Sequence, residues 1–252
     1  MVLTVTGVMD KNSTNYRASS YDRASSSYIA IVIDDFGNNG KGTEEMLSLG
    51  IPITAAVIPF SPYAAAEAEL AHNKGHQVIV HMPMEPEVGK LSWLGPRGIT
   101  CSLSEQEIEC RVEEAIKELR FAEGINNHMG SKAMKDSRVV GDVIRIAKKY
   151  NMFFLDSKTT DKSVAKSVCS EYFVPYYERD IFLDHQNNIA YIEKQLDKAG
   201  ELALKKGFAI VIGHVGPAGG MTTVKGIQHK INELQQKGIT FVKLKDIPTT
   251  IK

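Results

Sequence analysis

The chain has 252 residues and a hydrophobic content of 43%, enough for one large α/β domain or two small ones with a sizeable core. Its 30 Lys and Arg balance its 30 Asp and Glu, which argues against nucleic acid or an anionic surface as the main partner. Cys101, Cys110 and Cys169 form no CxxC pair and no disulfide framework, and no segment reaches the roughly 18 apolar residues of a transmembrane span.

Residues 1–27 read as a flexible N-terminal arm: Asn12 to Ser27 is rich in Ser, Tyr, Asn and Arg and has no hydrophobic periodicity. Met1 to Met9 lacks the basic and apolar regions of a signal peptide. Residues 28–252 read as one domain. Tyr28 to Ile33 is apolar at every position, as in a strand covered on both faces, and ends in Asp34 and Asp35. A short helical pattern follows to Leu49, then a buried run over Ile51–Ile58, a helix over Ser61–Asn73 and a third short strand from Gln77 to His81. The rhythm breaks from Met82 to Cys101, a long loop rich in Pro and Gly that carries Trp93. Ser104 and Glu107 form a capping-box pattern before a helix with one apolar face, Ile108, Val112, Ala115, Ile116 and Leu119.

A short segment, Ile125 to His128, precedes a helix marked by Val139, Val140, Val143 and Ile144. Met152–Leu155 is a fifth strand ending at Asp156. Residues 157–180 give no clean pattern, although Phe173–Tyr177 and Ile181–Leu183 are strand-like. Asn188–Lys206 predicts a helix, Phe208–Ile212 a wholly apolar strand before Gly213 and His214, Thr222–Lys237 a helix and Thr240–Leu244 a last strand. Seven or eight strand–helix repeats in this length favour an irregular (β/α) barrel of mostly parallel strands over an open doubly wound sheet. Neither GxGxxG after the first strand nor GxxxxGK[ST] is present, so nucleotide binding is disfavoured.

Carboxylates and imidazoles then fall at the carboxyl ends of most strands: Asp34 and Asp35, His81, His128, Asp156, Asp184 with His185, and His214. That rim is where parallel barrels place their active sites, and a mixture of His and Asp suits a Zn²⁺-type site with an acid and a base. His76 and His81 are separated by an odd number of residues and cannot share an ion from one strand, so His76 reads as structural. His72 and His229 read as solvated helix residues, and His185 as ambiguous between site and turn. Gly216, Gly219 and Gly220 before a helix suit either a βα turn or a phosphate cradle.

Five stretches in order resemble the divergent polysaccharide deacetylase family, a distant branch of the NodB-type carbohydrate esterases. They are Ile31 to Gly37, Val80 to Pro86, Asn126 to Ser131, Phe154 to Ser157 and Ile212 to Pro217, spanning about residues 28–245. The resemblance implies an irregular (β/α)7–8 barrel and a metal-dependent hydrolase with one divalent ion, Zn²⁺, acting on acetylated polysaccharide or oligosaccharide outside the cytoplasm.

By the same resemblance Asp34 is the catalytic base, Asp35 and His81 are metal ligands and His214 is the general acid. Asp156 either orients His214 or supports a ligand. The main family carries a second histidine four residues after the first. Here that position is Glu85, so His128 is the expected third ligand, with Glu85 as the alternative carboxylate or a substrate contact. Trp93 is the candidate for stacking on a sugar ring. The missing histidine also keeps a second class in view, a non-catalytic envelope or sugar-binding protein on the same barrel. A metal-dependent phosphatase or sugar isomerase is a third.

Overall fold

The computed structural model describes residues 27–95 and 97–249, so the arm expected over residues 1–27 lies, except for Ser27, outside the described residues. The first half of the chain forms β1 (Ser27–Phe36), α1 (Thr43–Met46), β2 (Thr54–Val57), α2 (Ala64–Asn73), β3 (Gln77–Met84), α3 (Glu105–Glu118), β4 (Ala122–Met129) and α4 (Ser137–Lys149). The second half forms β5 (Phe153–Asp156), α5 (Ala165–Tyr172), β6 (Tyr176–Glu178), β7 (Ile181–Phe182), α6 (Ile189–Lys206), β8 (Phe208–His214), α7 (Gly220–Gln236) and β9 (Ile239–Val242). The strands pair in parallel in the order β6-β5-β4-β3-β2-β1-β8-β7, with β9 added against the start of β1. This is a curled sheet with helices packed outside it, an irregular (β/α) barrel.

Sequence and structure part company where polar residues hide an element. β4 runs from Ala122 to Met129 rather than from Ile125 to His128. α5 falls in the stretch without a clean pattern, and Phe173 ends that helix in a left-handed conformation instead of starting a strand. The capping box forms as expected: Ser104 Oγ accepts from the Glu107 amide, and Glu107 Oε2 accepts from the Ser104 amide at 2.9 Å.

Alternation along each strand decides which side chains reach the barrel mouth. Ile29, Ile31 and Ile33 pack outward against the helices, in one core cluster with Val80, Ile125 and Phe154. Ala30, Val32, Ile79, Phe153, Leu155, Ile210 and Ile212 fill the barrel interior in a second cluster. Continuing the inward parity past these residues selects Asp34 on β1, His81 on β3 and His214 on β8. The same rule sends Asp156, one residue after Leu155, outward. On β4, Ile125 faces out, so Asn126 and His128 face in.

No ladder joins β6 to β7 among the described residues, and the two-residue link Arg179-Asp180 spans the gap. The Arg179 amide donates to Asp156 O at 3.1 Å, and its guanidinium donates to Ser157 O and Lys158 O at 2.8 and 3.0 Å. On the other side the Asp180 amide donates to Ile210 O at 2.9 Å, and Asp180 Oδ2 accepts the Ile210 amide at 2.8 Å.

Candidate metal centre and acid–base pair

Asp35 breaks the alternation. Its φ is +69°, and the β1–β2 register shifts between Ile33 and Phe36. A bulge with a left-handed residue turns a side chain back toward the face that parity would deny it. Both carboxylates of the adjacent pair therefore approach one imidazole. Asp34 Oδ2 lies 3.6 Å and Asp35 Oδ1 3.5 Å from His81 Nε2. The strict alternation of adjacent strand residues fails here for that reason.

Asp35 Oδ1, His81 Nε2 and His128 Nδ1 form a triangle with edges of 3.5, 3.1 and 3.1 Å. A tetrahedral ion with bonds of about 2.0–2.1 Å requires neighbouring donor atoms about 3.3 Å apart, so the three atoms match one face of such a site. Asp35 Oδ1 is also fully buried and lacks an aligned hydrogen-bond partner, despite the two nearby nitrogens. An orphaned buried oxygen beside two imidazole nitrogens is a donor set that fits a divalent ion, and the nitrogen ligands favour a transition metal over Mg²⁺ or Ca²⁺. Burial alone would raise the Asp35 carboxyl, but the His128 and His81 imidazoles outweigh it and hold the group well below the usual carboxylate range. Burial likewise opposes the His81 imidazolium, and the charges of Asp34 and Asp35 outweigh it, raising its pKa. In the absence of metal, protons compete for this site.

His214 stands across from Asp34, its register partner on the neighbouring strand. Its Nδ1 lies 2.8 Å from Asp184 Oδ1, while Asp184 Oδ2 accepts the His214 amide and the Thr223 hydroxyl, each at 2.7 Å. Burial works against the imidazolium, but the Asp184 hydrogen bond and charge prevail, with Asp34 and Asp35 adding to them, and the His214 pKa rises to about 9. The carboxylate that orients His214 is therefore Asp184 and not Asp156. Asp156 points outward, where it accepts from the Lys158 amide at 2.8 Å and faces Tyr176 Oη at 3.4 Å.

Glu85 lies outside the triangle. Its Oε1 accepts from Lys132 Nζ at 2.6 Å and its Oε2 from the Cys101 amide at 2.7 Å, so both oxygens fasten the loop that follows β3. Trp93 sits on a short 3-10 turn, Leu91–Leu94, and is 60% exposed. It lines a cleft of about 230 Å³ that also touches Phe60, Pro83, Arg97 and His128, so the site has an adjoining recess with an aromatic wall. His76 is buried against Leu47 O and the Ile53 amide, His72 stacks on Phe121, and His229 pairs with Glu193. His185 stands near Phe182, with ring centroids 6.3 Å apart.

The glycines after β8 make the turn into α7. A Cβ on Gly219 would stand 2.3 Å from Asp184 Oδ2, so a carboxylate already occupies that space. Gly216 packs against Gly40. Two residues of this centre had no assigned role in the sequence reading, Asp184 and Asn126. Parity could have found Asn126, one residue after the outward Ile125 on β4, but not Asp184, which follows a strand of only two residues.

A family description of divergent polysaccharide deacetylases matches residues 31–247. YibQ, an uncharacterized protein of Escherichia coli (strain K12), is 37% identical over 215 residues, which is 85% of this chain and 65% of that protein. The chain thus spans just under two thirds of the length of that relative. The crystal structure of the uncharacterized protein ATU2773 from Agrobacterium tumefaciens C58 superposes with a TM-score of 0.80 at 19% identity, covering 90% of this chain and 91% of that one. The catalytic domain of a peptidoglycan N-acetylglucosamine deacetylase from Eubacterium rectale ATCC 33656 superposes with a TM-score of 0.55 at 14% identity, covering 90% and 93%. These two likenesses show the fold, and the match over residues 31–247 shows the family: the chain belongs to the divergent polysaccharide deacetylases.

Proposed function

We propose that the protein is a zinc-dependent hydrolase that removes acetyl groups from an N- or O-acetylated polysaccharide of the cell envelope. The observation that carries this reading is the triangle of Asp35, His81 and His128 beside Asp34, with the Asp184-held His214 on the next strand. Asp35, His81 and His128 would hold the ion. When bound, zinc supplies a Lewis acid that lowers the pKa of a water and polarises the acetyl carbonyl.

The protein's own groups would do the rest. Asp34, buried beside His81, would take the proton from the attacking water. His214, with a pKa of about 9, is charged at neutral pH and would protonate the leaving amine or alkoxide. Asp184 engages its Nδ1, which leaves Nε2 as the donating atom. Trp93 and the cleft beside His128 would receive the sugar ring.

Zinc-loaded protein should release acetate from N-acetylated chitooligosaccharides or peptidoglycan fragments, lose that activity to a chelator and regain it with zinc. Asp34→Asn should lower kcat by about 10²–10⁴-fold without loss of zinc. Protein that retains zinc and binds the oligosaccharides but releases no acetate would support the sugar-binding alternative. Anomalous scattering should place one ion against Asp35, His81 and His128; an ion held through Glu85 would sink the ligand assignment.

A further inference from the structure

One fully buried polar side chain touches both a candidate ligand and the candidate base. Asn126 on β4 is 0% exposed. Its Oδ1 lies 2.8 Å from His81 Nδ1, and its Nδ2 lies 3.0 Å from Asp34 Oδ1 and 3.2 Å from Ser157 Oγ. The orientation of this amide follows from chemistry. A carboxylate offers only acceptors, so the atom facing Asp34 is the NH₂ group. The carbonyl oxygen then faces His81, and His81 Nδ1 must carry a hydrogen. An imidazole whose hydrogen is fixed on Nδ1 presents its lone pair on Nε2. Nε2 is the atom 3.1 Å from His128 Nδ1 and 3.5 Å from Asp35 Oδ1. The other tautomer would aim an N–H into the triangle and a lone pair at the Asn126 carbonyl.

The donor side of the amide acts on Asp34 in the same way. With Oδ1 tied to Asn126, Oδ2 is the oxygen left toward the triangle, 3.6 Å from His81 Nε2. We propose that Asn126 is a positioning residue that locks His81 in its metal-binding tautomer through the carbonyl and aims the free oxygen of Asp34 through the amide. The first half rests on the metal site alone, and the second on the deacetylase reading above. Asn127, the next residue, faces the other way and serves the loops: its Oδ1 accepts the Ser157 amide at 3.0 Å and its Nδ2 donates to Met129 O at 2.7 Å. The two adjacent asparagines thus have separate jobs because they lie on opposite faces of β4.

Asn126→Ala and Asn126→Asp separate the two contacts. The alanine variant loses the acceptor, and its zinc affinity, measured by chelator competition, should fall about 10–100-fold. The aspartate variant keeps an acceptor for His81 Nδ1–H but sets a carboxylate against Asp34. It should retain zinc while acetate release falls about 100-fold, the lower end of what a positioned base contributes. A downfield His81 Nδ1–H resonance in zinc-loaded, ¹⁵N-histidine-labelled protein should persist in the wild type and the aspartate variant and vanish in the alanine variant. Without metal, Asn126→Asp should lower the midpoint of thermal unfolding, and a second change, Asp34→Asn, should recover it by exchanging donor and acceptor. Unchanged zinc affinity in Asn126→Ala, or no recovery in the double variant, overturns the proposal. The zinc and unfolding measurements need no turnover, so an inactive wild type would sink the deacetylase reading and leave these outcomes decisive for Asn126.

Discussion

Asp184 gives His214 its charge, and the sign of that coupling can be tested by pH. The folded-state pKa of His214 is raised from 6.5 to about 9, so the stability from the pair is full below about pH 6.5 and is lost as pH rises through about 9. If His214 is the acid, kcat/KM should hold through neutral pH and fall above about pH 9. Asp184→Asn keeps an acceptor for Nδ1 but removes the charge. The basic limb should move down by roughly one to three pH units, with zinc affinity unchanged. A limb that stays in place would show that a different group sets it. At this scale the sequence was partly legible. Asp34, His81 and His214 stand out as polar residues that end apolar runs, and His128 as the end of a short segment between two helices. Asp184 does not, because it follows a two-residue strand, β7, too short to display a period. Asp35 is visible as a residue but not as a direction, because its left-handed turn leaves no mark in composition.

Elements position the site through the loops between them, and glutamates fasten those loops by backbone amides. Glu67 on α2 accepts from the Gly37 and Asn39 amides at 2.7 and 2.5 Å, just past Asp35, and Glu118 on α3 accepts from the Phe60 amide at 2.7 Å beside the cleft. Glu85 does the same for Cys101. Such residues read as surface charge in a sequence because their partners lie tens of residues away. The turn before α7 is held as tightly. A Cβ at Gly219 would meet Thr223 Oγ1 at 2.2 Å and Asp184 Oδ2 at 2.3 Å. Gly219→Ala should therefore push Asp184 off His214 and cost about 1–3 kcal/mol of stability. Its kcat should fall further than that destabilisation explains at temperatures where the variant remains folded, with zinc affinity unaltered. Denaturant unfolding, steady-state kinetics and chelator competition on the same preparation check the three parts. Wild-type kcat in this variant would mean that the Asp184 contact is packing alone.

Across the whole molecule, the candidate ligands and the candidate acid lie on different strands of one sheet. The triangle comes from β1, β3 and β4, and the acid from β8 with Asp184 just after β7. The barrel seam lies between β6 and β7, so only β7 separates it from the strand of the candidate acid, while two strands separate it from the nearest ligand strands, β1 and β4. Zinc at 100 times its Kd should add about 2.7 kcal/mol to unfolding stability by mass action, read as a chelator-sensitive rise in Tm. The seam should respond differently. Asp180 fastens β7 to β8 through the Ile210 amide at 2.8 Å and also accepts from Lys206 Nζ at 2.6 Å. Asp180→Ala leaves a backbone donor short of its partner and should cost about 1–3 kcal/mol. Because β7 leads directly into Asp184, a loosened seam should disturb His214 first: kcat should fall and the basic limb of the pH profile should drop, while zinc affinity stays at the wild-type value. Equal losses of zinc affinity and turnover would show that the sheet transmits the disturbance as one rigid body, and that acid and ligands are not mechanically separate.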